Sequence, residues 1–449
     1  MDNPAANRPV FTRVSQFAWL ASFWFAVHFI WATLLPVVIP ARVEELVPLA
    51  ELGTRQGILL GLGAAVSAVL QLTIGFVSDS TESRFGRRKP YIAVGVAVSI
   101  GAILYLVGAV SYWNLVFAYF LVQIFLNTAS VPYQSLMPDL VPEKFHGRAA
   151  AMMGIFDLSG KLIGLIISAM VVGGILFSKT IAGKPDYTVL AVLYCLLLIS
   201  LGAVVLAKAP NYPAVNSVRW LRIRFSENHN NAMRFFRELL RFEFRKSPDF
   251  LKLALSRTFI LFGYYTFIFF IYRFAKTNLN VGEHRELAAV LLAAIIIGAV
   301  AGNIAGGYLC DRIGKRRVIY MGMAVSIALM IPLIFSTNIR EAIYFGAMLG
   351  IGWGAFIAAD WAFAFTLIPK ERTARYMGLW DFTALAPQMV APLIAGIARD
   401  RLVTMLPGGP TAAEAEAFRI VFSFAILYFI AGLIVLGYVR EPAKGEAQE

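Results

Sequence analysis

Long apolar runs, each closed by a short cluster of charged or turn-forming residues, follow one another along almost the whole chain. Twelve are long enough to cross a hydrocarbon core about 30 Å thick as helices rising 1.5 Å per residue. They cover residues 17–40, 54–78, 90–110, 114–137, 148–177, 187–207, 250–275, 286–310, 318–337, 342–368, 373–398 and 420–439. The pattern predicts an all-α integral membrane protein. The longest polar interval, 208–249, contains "RWLRIRF" and "AMRFFRELLRFEFRK", where basic and aromatic residues recur at near-helical spacing. Such a pattern predicts an amphipathic helix lying on the membrane surface.

Composition agrees with a bilayer as the partner. Hydrophobic residues make up 59% of the 449 positions, charged residues 15%, and 35 are phenylalanine; soluble domains carry about 25% charged residues. The first residues, "MDNPAANRPVFTRVSQ", lack the apolar core and small-residue cleavage site of a secretory signal, so the first run is expected to remain as a span. Cys195 and Cys310 fall in or at the end of apolar segments and suggest neither a disulfide nor a metal site. No cofactor and no metal are expected.

A net charge of +13 raises the question of nucleic acid, but the placement of the charge answers it differently. Well over half of the 40 Lys and Arg lie in segments on the N-terminal side of the predicted topology. The positive-inside rule then predicts both termini in the cytoplasm, within a multi-pass protein of the plasma (cell inner) membrane, and no nucleic-acid partner. A monomer is expected.

Two phrases occur twice. "MMGIFD" at 152–157 and "YMGLWD" at 376–381 stand 224 positions apart, each completing R-x5-G-x2-D, from Arg148 to Asp157 and from Arg372 to Asp381. "GFVSDSTESRFGRRKP" (75–90) and "GYLCDRIGKRRV" (307–318) share Gly-x3-Asp followed by Gly-basic-Arg. Each phrase falls at the same place within six runs, which predicts duplicated six-helix halves. The expected organisation is an N-terminal half, 1–207, a cytoplasmic basic amphipathic linker, 208–249, and a C-terminal half, 250–449.

These residues carry a family resemblance. The run at 307–317 resembles the loop signature of the major facilitator superfamily, and the first copy has the same elements with a four-residue insertion. "DSTESRFGRRKPYI" (79–92) and "VPYQSLMPDLVPEKFHGR" (131–148) resemble the glycoside–pentoside–hexuronide and sucrose-transporter-like carriers. The resemblance implies the major facilitator fold, with twelve transmembrane helices in two halves. It also implies that the first, fourth, seventh and tenth spans line a central path. The loops, through Asp79, Arg84, Arg87 and Arg88 and through Asp311, Arg312, Lys315 and Arg316, are expected to gate the inner face, a carboxylate beside several cations being able to latch helix ends.

Several carboxylates sit at one depth. Asp157 and Asp381 each lie nine residues after an arginine, and Asp360 nine before Pro369, which places all three about 13 Å into the membrane. His28 is deep in the first span. Charge at that level costs some 2.5–3.5 kcal/mol on insertion scales and marks a partner or a wet path. Asp157 has Lys161 one turn on, so an internal ion pair stands beside a titrating site; for Asp381 a mate such as Arg257 is the alternative. Proton coupling is assigned to Asp381, Asp360 and His28.

Sugar rings offer apolar faces to indoles and phenols and hydroxyls to amides and charged groups. Residues of those types at the expected depth are Trp24, Trp31, Gln123, Asn127, Tyr133, Gln134, Arg257, Tyr264, Tyr265, Trp353, Asp360 and Trp361. Where plant-type sucrose carriers have an acidic residue in the fourth span this chain has Gln123. Where sodium-coupled relatives have a pair of aspartates in the second span it has Ser67 and Gln71, too little charge for sodium. The expected activity is therefore secondary active transport of a glycoside, a disaccharide such as sucrose or maltose, by alternating access with proton symport. An uncoupled sugar facilitator and a hydrophobic drug exporter on the same scaffold are the alternatives. A receptor would need a soluble output domain, and an enzyme a His cluster, a Gly-x-Ser-x-Gly elbow or a phosphate loop; the chain has none of these motifs.

Overall fold

The computed structural model describes residues 11–81, 83, 85–142, 146–172, 187–210, 247–279, 281, 286–367 and 373–441. Among them every regular element is helical. In the first half these are α1 (Val14–Thr33), α2 (Ile39–Leu46), α3 (Leu52–Ser80), α4 (Lys89–Val107), α5 (Tyr112–Gln134), the short α6 (Leu136–Leu140), α7 (His146–Val172) and α8 (Thr188–Lys208). The second half contains α9 (Pro248–Ile268), α10 (Ile271–Asn278), α11 (Glu286–Ile313), α12 (Lys315–Phe335), α13 (Ile339–Leu367), α14 (Thr373–Met405) and α15 (Gly409–Leu436). Among the described residues eleven helical stretches are long and apolar enough to cross a membrane, and the pair α9 and α10, bent by 47°, makes a further one if counted as a single broken span, the seventh in chain order. The amphipathic helix expected in 208–249 lies almost wholly outside the described residues.

Local chemistry explains where the spans depart from their apolar cores. The first does not stop near residue 40 but runs through a π-helical turn, Leu34–Val38, into α2. Pro36 lies in that turn; having no N–H to give to an α-helical ladder, it is accommodated where the ladder widens. The twelfth begins at Gly409, well before the expected residue 420, because Pro410 suits a first turn and "TAAEAEAFR" consists mostly of strong helix formers without being apolar. The seventh breaks at Phe269, whose carbonyl, released from the helix ladder, accepts a hydrogen bond from Gln56 Nε2 at 2.6 Å.

The described residues cluster into two compact units. One is drawn from Met1–Thr33, Ala65–Gly164 and Thr180–Arg241, the other from Leu34–Ala64, Leu165–Lys179 and Phe242–Glu449. In the first unit α7 lies on α1 at van der Waals distance, a Cβ added at Gly160 falling 2.6 Å from the carbonyl oxygen of Phe25. In the second, α11 and α13 meet backbone to backbone, a Cβ at Gly302 falling 1.9 Å from the Ile351 oxygen. Lipid gives two apolar helices no hydrophobic reason to associate, so close approach and dispersion must hold them.

Candidate functional site

The approach of α7 to α1 brings a polar group together inside the first unit. Asp157 receives His28 Nδ1 at 2.8 Å from α1 and Lys161 Nζ at 2.8–2.9 Å from its own helix. Nδ1 is thus the imidazole nitrogen that faces the carboxylate. The three side chains keep 24–34% of their surface exposed, so they are reachable as well as paired. Trp24 tilts over the imidazole at 4.7 Å and meets Tyr133 edge-on at 5.6 Å; Tyr133, buried, donates to the Leu20 carbonyl. Trp31, half-buried three residues beyond His28, stacks on none of these rings.

The expected amides of the fourth span form a chain of their own. Gln123 Nε2 donates to Tyr119 Oη at 2.6 Å, and Asn127 Nδ2 donates to the Gln123 backbone and side-chain oxygens at 2.8 and 3.1 Å. Ser67 Oγ on α3 donates to Asn127 Oδ1 at 3.1 Å. Gln123 and Asn127 are buried, while Gln134, at the end of α5, is exposed. These amides tie α3 to α5 before they can serve a ligand.

The second unit has a drier cluster. Arg257 on α9 pairs with Asp360 on α13, the two side chains being 7% and 1% exposed. The guanidinium carbon lies 4.2 Å from the ring centre of Trp380 on α14 and 5.4 Å from that of Trp361, and the two indoles meet edge-on at 6.1 Å. Cation–π attraction and the ion pair thus act on one guanidinium. Arg257 Nε and Asp360 Oδ1 are buried with no hydrogen-bond partner among the described residues. Tyr264 stacks flat on Trp353, 4.3 Å between centres at 5°, and Tyr265 meets Tyr264 at 5.2 Å. Arg257, one expected mate of Asp381, pairs with Asp360, while the Asp381 side chain lies outside the described residues. Trp380 was not among the expected residues, although the repeat points to it: it occupies in "MGLWD" the position of Phe156 in "MGIFD".

The side chains of Asp79, Asp311 and Asp381, and the whole of Arg84, lie outside the described residues. Arg87 and Arg88 are buried, and Arg88 donates to Ser78 Oγ at 2.6 Å. In the second loop Gly314, at φ +93°, turns the chain into α12. The amides of Lys315 and Arg316 then donate to the Glu441 carboxylate at 2.8 and 3.2 Å, a favourable place for an anion. The Arg316 guanidinium donates to the carbonyls of Val439 and Gly437 at 3.0 and 2.8 Å, and Arg312 lies over Tyr308 at 4.4 Å. No group of three or more potential metal ligands occurs among the described residues.

The model of the Major Facilitator Superfamily matches residues 20–392. The YttB transporter of Bacillus subtilis (strain 168), named as an uncharacterized transporter of this type, is 26% identical over 170 residues, 38% of this chain and 39% of its own. The minor myo-inositol transporter IolF of the same organism is 28% identical over 109 residues, 24% of this chain and 25% of its own. The matched stretches thus span well under two thirds of either relative. A bacterial homologue of the human lysosomal transporter Spinster, solved inward-facing and unoccupied, superposes with a TM-score of 0.72 at 17% identity, covering 94% of this chain and 96% of that one. A D-xylose–proton symporter superposes at 0.68 and 14% identity, covering 95% and 98%. Eleven to twelve candidate spans among the described residues, a match over most of the length and this shared architecture make the chain a multi-pass membrane protein that belongs to the Major Facilitator Superfamily.

Proposed function

We propose that the protein is a secondary active transporter of the glycoside–pentoside–hexuronide or sucrose-transporter-like type, moving a disaccharide such as sucrose or maltose by alternating access with proton symport. The observation that carries this reading is the company that two of the deep carboxylates keep. Asp157 is neutralised by Lys161 and Asp360 by Arg257, and each pair has aromatic rings beside it. A carboxylate and a cation side by side offer acceptors and donors for hydroxyls with no net charge to draw an ion, and the indoles offer faces for C–H surfaces. A hydrophobic drug would leave such groups unsatisfied, and a carboxylate cargo would face no surplus cation in either pair. The names of two similar proteins, for myo-inositol and for D-xylose with a proton, are in keeping with a polyhydroxylated cargo.

In this reading Trp31, Gln123, Asn127, Tyr133, Gln134, Arg257, Tyr264, Trp353, Asp360 and Trp361 contribute to substrate binding, and Asp381, Asp360 and His28 to proton coupling. The inner face is gated by the two basic loops, the termini are cytoplasmic, and 208–249 lies as a basic helix on the membrane between the halves 1–207 and 250–449. Purified protein in liposomes should take up labelled sucrose or maltose faster when the outside is more acid, and a protonophore should abolish the difference. Uptake that ignores the gradient makes the protein a facilitator; no uptake of either sugar removes the disaccharide reading.

A further inference from the structure

Among the described residues the most extensive network of buried charge lies inside the second unit and shares no residue with the Arg257–Asp360 pair. Glu414, near the start of α15, accepts from Arg273 Nη2 of α10 at 2.6 Å and from Arg399 of α14 on the same oxygen. Arg273 Nη1 continues to Glu44 of α2 at 2.8 Å, and Lys276 joins the same carboxylate. From Arg399 the network runs to Asp400 at 2.9 Å and to the Leu49 carbonyl at 2.6 Å. Asp400 closes it by accepting the amides of Gly53 and Thr54, at 2.9 and 2.6 Å, so a residue of α14 caps the N-terminus of α3. The side chains of Arg399, Glu414 and Arg273 are 0%, 3% and 4% exposed.

Topology places all of these on one membrane face. They belong to the end of the first span, the start of the second, the ends of the seventh and eleventh and the start of the twelfth, each on the side opposite the N-terminus. Below them α3 and α14 touch without side chains between: a Cβ at Gly57 falls 2.3 Å from the Pro392 oxygen, and one at Gly396 falls 2.0 Å from that of Gly53. Three carboxylates, Glu44, Asp400 and Glu414, balance three cations, Arg273, Lys276 and Arg399. A set whose carboxylates and cations balance one another presents no surplus charge to a ligand; its chemistry is that of a lock.

We infer that this network is the closed gate of the membrane face opposite the termini, holding the turn between the first two spans against the seventh, eleventh and twelfth. The inference rests on the reading that transport proceeds by alternating access. Opening that face must separate Glu44, Leu49 and the start of α3 from their partners. Removing one charge leaves its buried partners uncompensated in the closed state but free to meet water in the open one, which shifts the balance toward opening.

Accessibility tests it apart from the cargo. In full-length protein in nanodiscs, with Cys195→Ser and Cys310→Ala, a Thr54→Cys reporter is labelled by a polar maleimide. Glu414→Gln should speed labelling by about tenfold or more, the ratio expected when a buried pair is broken in a two-state equilibrium. The partly exposed Lys276→Met should give a smaller rise. Glu416→Gln, two residues along α15 in a surface pair with Arg419, should leave the rate unchanged. Equal rates in the parent, Glu414→Gln and Lys276→Met overturn the gate; if Glu414→Gln does not fold, no rise in Lys276→Met and Glu44→Gln overturns it. Faster labelling without sugar uptake leaves the gate standing and rejects the disaccharide alone.

Discussion

Arg257 shows what a single residue contributes here: one guanidinium holds a carboxylate from α13 and lies against an indole of α14. Asp360→Asn leaves that cation buried beside a neutral amide and should destabilise the protein by about 3–5 kcal/mol, read as a lowered thermal midpoint. Arg257→Met combined with Asp360→Leu should recover most of the midpoint but not transport, if the pair serves the cargo as well as the fold. Recovery of both would make the pair structural. Asp381→Asn should abolish accumulation of sugar against a gradient yet leave sugar-for-sugar exchange largely intact, since exchange moves no net proton; normal accumulation assigns coupling to His28 or Asp360. At this scale the sequence shows partners within a helix and hides those across helices. Lys161 is visible from Asp157 as an i+4 neighbour, whereas His28 is 129 positions away and only the packing of α7 on α1 brings it to the carboxylate.

Among elements, glycine decides which helices meet. A side chain at Gly160 would strike the Phe25 backbone and push α7 from α1, parting His28 from Asp157, whereas one at Gly154, in the repeated phrase, meets open space within 4 Å. Gly160→Val should therefore cost transport and stability together, by some 1–3 kcal/mol, the usual range for overpacking. Gly154→Ala should be silent or stabilise slightly, by up to about 1 kcal/mol from helix propensity. Uptake and thermal midpoints of the two variants check the contrast; a silent Gly160→Val would mean that α7 is free to shift. The spans were legible because a bilayer imposes their length, and no pairing information is needed to count apolar residues. Their ends were less so. The π-turn at Pro36, the break at Phe269 and the polar start of α15 leave the hydropathy of the runs almost unchanged, and it is those irregular ends that carry Glu44, Arg273 and Glu414.

Over the whole molecule, transport needs two faces that close in turn, and charge is available at both. On the terminal side are the basic loops found from their repetition; on the other is the network around Glu414, which the sequence does not advertise because charges at span ends are ordinary and their cross-helix partners cannot be read from spacing. If the first set closes the inner face, loosening it favours inward opening, while loosening the second favours outward opening. The cycle runs fastest when neither state is much more stable than the other. Asp311→Asn and Glu414→Gln should then each slow transport, by pushing the equilibrium in opposite directions. Combined, their effects on that equilibrium should largely cancel, being changes at opposite ends of the spans. The double variant is expected to transport several-fold faster than either single one and to label Thr54→Cys more slowly than Glu414→Gln alone. Losses that multiply instead would show that the two sets do not act on one equilibrium, and that at least one of them only holds its own helices together.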